Sequence, residues 1–388
     1  MVATKQTDGL GTKCVHAGVS PEPIHGSVNP PVHLSTTFVQ PDVAAPLTTD
    51  YTRGGNPTRT PLEDAIAELE GGARGLSFAS GLAALDTILR TCDVGDHVVC
   101  AEDAYGGSIR LLNKVASKQG ITTTFVDTRD LAATKAAMTP KTKWVLLETP
   151  TNPLLRVSDI AAVAEIAHAG GARLIVDNTF MSPILQRPLE LGADVVFHSA
   201  TKYIGGHSDV LAGLIATKDA ALGEELFFLQ MAVGAVLPPF DCFLLQRGLK
   251  TLKLRVEAQS SQAAELANRL VERLGAENVY YPGLATHDNH DVHARQASSG
   301  GAMLSFRTPS AETARKFVKA TRIFQLAESL GAVESLIQVP AAMTHASVPK
   351  EMRERTGLTD GIIRVSVGIE DLEDQWADLD AALKAIGC

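Results

Sequence analysis

No run of 18 or more uninterrupted apolar residues occurs in the chain, so no segment reads as a membrane span. Residues 1–6 lack the apolar core of a secretory signal. Lys and Arg nowhere cluster, and the formal net charge is −9, which argues against a nucleic-acid partner. Cysteine is scarce: Cys14, Cys92, Cys100, Cys242 and Cys388 make an odd count with no C-x-x-C pair. No disulfide framework is expected, and a reducing, cytoplasmic setting fits. His, Cys and carboxylates are not grouped at metal-ligand spacing, so no metal is expected. The chain has no G-x-x-x-x-G-K-[ST] run, and no G-x-G-x-x-G follows the first expected strand, which excludes a P-loop and a dinucleotide fingerprint. Internal repeats and low-complexity tracts are missing as well.

What is present is an ordinary globular composition of 388 residues, 45% hydrophobic and 20% charged, long enough for more than one domain. Residues 1–50 are rich in Pro, Gly, Ser and Thr with little helical period, and Asn29-Pro30-Pro31-Val32 reads as extended chain. An arm is expected there. Thr60-Pro61-Leu62-Glu63 combines an N-cap, a Pro at the first helical position and a capping-box Glu, and Gly71-Gly72 ends that helix. Apolar, β-branched runs then recur at 76–79, 97–100, 123–126, 144–147, 174–176 and 195–198. Helical patterns such as 83–91, 111–119 and 160–169 separate them. This alternation predicts an α/β fold with a mostly parallel central sheet covered on both faces. Ligands of such sheets sit outside the carboxyl ends of the strands. Beyond residue 250 the rhythm changes to a long helix at 252–274, strands near 302–306 and 362–367, and a terminal helix at 371–386. The expected division is an N-terminal arm (1–50), a large domain (51–250) and a smaller C-terminal α/β domain (251–388).

Two strand ends stand out. Leu174-Ile175-Val176 delivers Asp177, which taken alone also reads as a turn or helix N-cap residue. The run at 194–198 ends in Ser199-Ala200-Thr201-Lys202-Tyr203, and a lone lysine there also reads as solvated. Together they suggest pyridoxal 5′-phosphate (PLP), which needs a lysine for a Schiff base and a carboxylate to keep its pyridine nitrogen protonated. Ser77-Phe78-Ala79-Ser80-Gly81-Leu82-Ala83-Ala84 offers a strand, a small-residue turn and a helix start suited to a phosphate. Ser199 and Thr201 add hydroxyl donors.

Four longer motifs carry a resemblance. They are Tyr51-Thr52-Arg53-Gly54-Gly55-Asn56-Pro57-Thr58-Arg59, Glu148-Thr149-Pro150-Thr151-Asn152-Pro153, the stretch from Asp177-Asn178-Thr179-Phe180 through Lys202 to Asp209, and Arg364-Val365-Ser366-Val367-Gly368-Ile369-Glu370. With them the chain resembles, from about residue 12 to its end, the Cys/Met-metabolism family of fold-type I (aspartate aminotransferase-like) PLP enzymes. The resemblance implies that Lys202 carries the cofactor, that Tyr105 stacks on its ring and assists catalysis, and that Asp177 pairs with its pyridine nitrogen. It places Gly81, Leu82, Ser199 and Thr201 on the phosphate and adds Thr179 to the cofactor set. Tyr51 and Arg53 would reach the phosphate of a neighbouring subunit, making a dimer the minimal active unit and a tetramer the usual assembly. Arg364 would clamp the substrate carboxylate. Asn152 would contact the ring O3′ or that carboxylate, and Ser329 and Arg110 join the substrate set. Cys14, His16 and His207 are assigned no chemistry.

Members of that family differ in reaction. Tyr105-Gly106-Gly107-Ser108 has Gly where methionine-cleaving members tend to carry a reactive Cys. Ala327-Glu328-Ser329-Leu330-Gly331 sets Glu328 beside the carboxylate-binding turn, where β-eliminating bacterial members tend to have an aromatic residue. A carboxylate suits the distal ammonium of cystathionine, although Glu328 also reads as a solvated helix-end acid. The runs Leu34-Ser35-Thr36-Thr37-Phe38, Gln186-Arg187-Pro188-Leu189, Arg247-Gly248-Leu249-Lys250-Thr251-Leu252 and Met343-Thr344-His345-Ala346-Ser347-Val348-Pro349 look most like members that act on cystathionine by γ-elimination. The expectation is conversion of L-cystathionine to L-cysteine, 2-oxobutanoate and ammonia, with hydrogen sulfide release as a side reaction. The alternative is γ-replacement on an O-acylhomoserine, with β-elimination and methionine cleavage behind it. Gly331-Ala332 departs from the family's usual Gly-Gly.

Overall fold

The computed structural model describes residues 5, 7–45, 47, 49–346 and 350–388. Residues 1–4 and 6 of the N-terminal run and 347–349 of the Met343-to-Pro349 motif lie outside the described residues.

The apolar runs form strands β1 (Arg74–Phe78), β2 (His97–Ala101), β3 (Thr122–Val126), β4 (Thr142–Glu148), β5 (Arg173–Asp177), β6 (Val195–Ser199) and β7 (Gly213–Thr217). They make one sheet in the order β1-β7-β6-β5-β4-β2-β3. Every neighbouring pair is parallel except those involving β7, which runs against both β1 and β6. The continuous apolarity of the strands follows from burial on both faces. On β4, Trp144 and Leu146 pack with Leu85 and Ile88, while Val145 and Leu147 pack with Ile160 and Val163 on the opposite face. The sequence reading did not single out β7. Its Leu-Ile-Ala run is too short for periodicity to separate strand from buried helix.

A second sheet collects β8 (Val279–Tyr280), β9 (Met303–Arg307), β10 (Gln325–Leu326), β11 (Leu336–Gln338) and β12 (Ile362–Ser366) in the order β10-β11-β12-β9-β8. Helices Leu252–Leu274, Ala311–Ala320 and Leu372–Ile386 build its core through residues such as Leu266, Phe317 and Leu379. Among the described residues no helix is long and apolar enough to cross a membrane.

Two local expectations are corrected. The arm contains a helix, Leu10–His16, whose Cys14 is buried in the core shared by helix Arg59–Glu70. The expected capping box does not form. That helix begins at Arg59, and the preceding Thr58 is already helical, with φ −87° and ψ −31°. Thr60, the expected cap, lies inside the first turn, and its hydroxyl donates to the Asn56 carbonyl at 3.2 Å. Glu63 turns inward, where its Oε1 accepts from the Ser77 N–H and hydroxyl at 3.0 Å each. Those buried donors on β1 hold the carboxylate away from the helix start. Gly71 does close the helix, in the left-handed region at φ 73°.

The reversed strand β7 holds the Ser80–Gly81 turn from below. A Cβ on Gly213 would lie 2.2 Å from the Ser80 carbonyl oxygen and 2.8 Å from the Gly81 nitrogen. Gly213→Ala therefore has to displace that turn or strain the strand, at a cost of about 1–3 kcal/mol. Thermal unfolding should show a lower Tm than for the native chain.

Candidate active site

A cavity of about 220 Å³ opens at the carboxyl ends of β1, β4, β5 and β6, where elements of the second sheet close over it. All the residues singled out from the sequence line it except Tyr51, Arg53 and Arg110. Arg110 is exposed on helix Gly106–Lys114. Tyr51 and Arg53 are also exposed, with the guanidinium over the Tyr51 ring and donating to the Met231 carbonyl at 2.7 Å. This chain does not bring these three into its own cavity.

One end of the cavity is a helix N-terminus. Ser80 caps helix Gly81–Leu89 by accepting from the Ala83 N–H at 3.1 Å. The Gly81 and Leu82 N–H groups have no acceptor among the described residues, so two backbone donors and the positive end of the helix face the cavity. A Cβ on Gly81 would sit 3.0 Å from the Ser199 Cα, so glycine is what lets the turn approach β6 this closely. Ser199 and Thr201 line the same end.

In the middle lies Asp177, whose Oδ1 accepts from the Thr179 N–H at 3.0 Å and the Thr179 hydroxyl at 2.5 Å. That hydroxyl in turn accepts from the Ser199 N–H at 2.8 Å, locking the carboxylate to β6. Asp177 Oδ2 has no partner among the described residues. Burial pushes the Asp177 pKa up, against the pull of the Thr179 bonds. Lys202 Nζ donates to the Ser329 hydroxyl at 2.8 Å. Burial, seconded by Arg364, lowers the amine to about 8, so about a tenth is neutral and nucleophilic at pH 7, far more than for an ordinary lysine. Tyr105 is 37% exposed, which leaves its ring accessible to another planar group. Gly107 leaves it room: a Cβ there would be 2.3 Å from the ring.

The other end is cationic. Arg364, on β12, is buried, and its described hydrogen-bond partners are all neutral. Nη1 donates to Asn152 Oδ1 at 3.0 Å and Nη2 to the Ser329 carbonyl at 2.6 Å. Gln338, with its amide oxygen turned inward, accepts from Nη1 at 2.8 Å, Nη2 at 2.9 Å and Nε at 3.0 Å. Burial lowers the guanidinium to about 10, and it still carries its charge at neutral pH. Ser329 reaches both Lys202 and Arg364 because its backbone takes φ 82°, a strained value for a residue with a side chain. Glu328, exposed, stands at the mouth.

Glu148 is the residue that sequence reasoning passed over. It stood in a recognised motif, but strand-end position was the only signal for it. Its Oε2 accepts from the Tyr105 N–H at 2.6 Å and its Oε1 from the Asn152 N–H at 2.9 Å. It pairs in register with Asp177 on the adjacent strand. Burial and Asp177 together push its pKa well up.

These groups fit PLP: a buried lysine of lowered pKa, a carboxylate with an open oxygen, an accessible aromatic face, and a helix N-terminus flanked by hydroxyls for the phosphate. Comparison with known proteins agrees. The chain is 49% identical to a cystathionine beta-lyase of Lactococcus lactis subsp. cremoris, covering 97% of this chain and 99% of that one. It is 48% identical to a cystathionine gamma-synthase of Mycobacterium bovis, over 97% of each. The crystal structure of cystathionine gamma-lyase from Lactobacillus plantarum complexed with L-serine superposes with a TM-score of 0.94 at 44% identity, covering 98% of this chain and 99% of that one. The family described as Cys/Met metabolism PLP-dependent enzyme matches residues 11–384. The fold is the α/β architecture of those enzymes, the cofactor is pyridoxal 5′-phosphate, and the chain belongs to the Cys/Met metabolism PLP-dependent enzyme family.

Proposed function

We propose that the protein catalyses γ-elimination of L-cystathionine, consuming one water and releasing L-cysteine, 2-oxobutanoate and ammonia. The observation that carries this reading is the placement of charges along the cavity. Arg364 is a buried cation with only neutral partners at one end, suited to an α-carboxylate. Glu328 is a carboxylate at the mouth, suited to the ammonium at the far end of the same substrate. PLP, when bound, supplies the electron sink that stabilises a carbanion at Cα. Asp177 holds a proton at the pyridine nitrogen, and Thr179 keeps that carboxylate aimed. Lys202, with its lowered pKa and its tether to Ser329, would take the Cα proton, hand it on to the imine carbon, and, neutral again, take the Cβ proton. Tyr105 or Lys202 returns a proton to the departing thiol. The relatives carry three reaction names at nearly equal identity. Their likeness therefore leaves γ-replacement on an O-acylhomoserine as the second reading, with β-elimination behind it.

We infer too that the active unit is a dimer, two of which form a tetramer. The phosphate end of the cavity has backbone and hydroxyl donors but no arginine of this chain. Tyr51 and Arg53 are exposed outside this chain's own cavity, which supports their serving a neighbouring copy.

Incubation with L-cystathionine alone should yield 2-oxobutanoate and cysteine. Pyruvate and homocysteine instead would make it a β-lyase; activity only with O-acylhomoserine plus cysteine would make it a synthase. Glu328→Ala should raise the KM for cystathionine about 10-fold and leave the KM for homocysteine, which has no distal ammonium, nearly unchanged.

Because the neutral amine is the nucleophile, covalent uptake of PLP by the cofactor-free chain should slow as pH falls below about 8 and level off above it. An ordinary lysine would keep gaining up to about 10.4. Stopped-flow absorbance measures the rate, and borohydride reduction with peptide mass analysis should place the adduct on Lys202.

Arg53→Ala and Lys202→Ala homomers should each lose most activity. Mixed and reassembled, they should recover a substantial fraction, since one of the two shared sites is then intact.

A further inference from the structure

We propose that Glu148 is a positioning residue that sets both the aromatic cover over the cofactor and the clamp on the substrate carboxylate. Its two carboxylate oxygens are spent separately. One holds the Tyr105 N–H at 2.6 Å, at the residue whose ring borders the cofactor space. The other holds the Asn152 N–H at 2.9 Å, at the residue whose side-chain oxygen receives Arg364 Nη1 at 3.0 Å. Arg364 continues to Ser329, and Ser329 to Lys202. One side chain at the end of β4 thus anchors both branches of the site.

A purely structural duty is already met by other groups. The turn after β4 is pinned by the Thr151 hydroxyl on Asp103 at 2.9 Å, with Arg156 3.7 Å from the same carboxylate. Glu148 is nearly fully buried and in register with Asp177, where a second carboxylate is costly to the fold. Its two amide contacts are what repay that cost.

The inference rests on Arg364 receiving the substrate carboxylate, and its test avoids the cystathionine reaction. Glu148→Gln keeps the shape but turns an NH₂ toward one of the two N–H donors. The cofactor-free variant, titrated with PLP by protein fluorescence, should bind at least 10-fold more weakly, and the visible circular dichroism of the bound cofactor should change amplitude. The L-alanine concentration giving half the spectral change should rise several-fold. Asn152→Ala, which removes the side-chain acceptor of Arg364, should likewise raise the alanine value several-fold. PLP affinity within two-fold and an unaltered dichroic band in Glu148→Gln would overturn the proposal. If that variant does not fold, amide hydrogen exchange in the native holoenzyme decides: slow exchange at both Tyr105 and Asn152 supports the role, and fast exchange at either refutes it. A protein that rejects cystathionine but binds alanine as described keeps this role for Glu148 and loses the proposed reaction.

Discussion

Two carboxylates side by side at the ends of neighbouring buried strands are the constraint around which this molecule is arranged. Glu148 and Asp177 face each other in register on β4 and β5; burial raises both pKa values, and the Asp177 charge raises that of Glu148 further. Like charges this close in a low-dielectric setting are expensive unless protons or a cation intervene. The surrounding groups divide the load. Glu148 is satisfied by two backbone N–H groups, and Asp177 by Thr179 on one oxygen only. The open oxygen leaves Asp177 short of a positive partner. On the proposed reading a protonated pyridine nitrogen would provide one, so cofactor binding would offset that cost and stabilise the folded state by mass action.

The same region joins the two sheets. Hydrogen bonds run from Tyr105 through Glu148 and Asn152 to Arg364 on β12, then to Ser329 and Lys202. Neither sheet owns the site. The large one supplies the groups for the cofactor, and the small one supplies the arginine and the loop that orients the lysine. Relative motion of the two parts would change the clamp and the base together.

The strand ends were readable because burial on both faces forces near-continuous apolar runs, and a polar residue that ends such a run is conspicuous. Asp177 and Lys202 were found that way, and the long helix at Leu252–Leu274 by its period. Glu148 ends a run just as plainly, yet its partners are two backbone amides more than three residues away, which no local pattern records. The capping box failed for a related reason: Ser77, fourteen residues on and buried, claimed Glu63. The short helix Leu10–His16 was hidden because its stability comes from packing Cys14 into a core, not from its own period. Arg110 was carried over by resemblance, and its position on the exposed side of a helix could not be judged without the fold.

Ser329 shows how such a site can diversify. Its strained backbone aims its carbonyl at the arginine and its hydroxyl at the lysine, so the two cationic groups are joined through one residue of a loop. Glu328, one position earlier, faces the mouth and touches neither. On the proposed reading, a change at 328 would alter the charge met by the far end of a substrate and shift the field at Lys202 and Arg364 without breaking either hydrogen bond of Ser329. Relatives of nearly equal identity bear three different reaction names, and position 328 is a place where such a difference can be written while the Ser329 contacts stay in place.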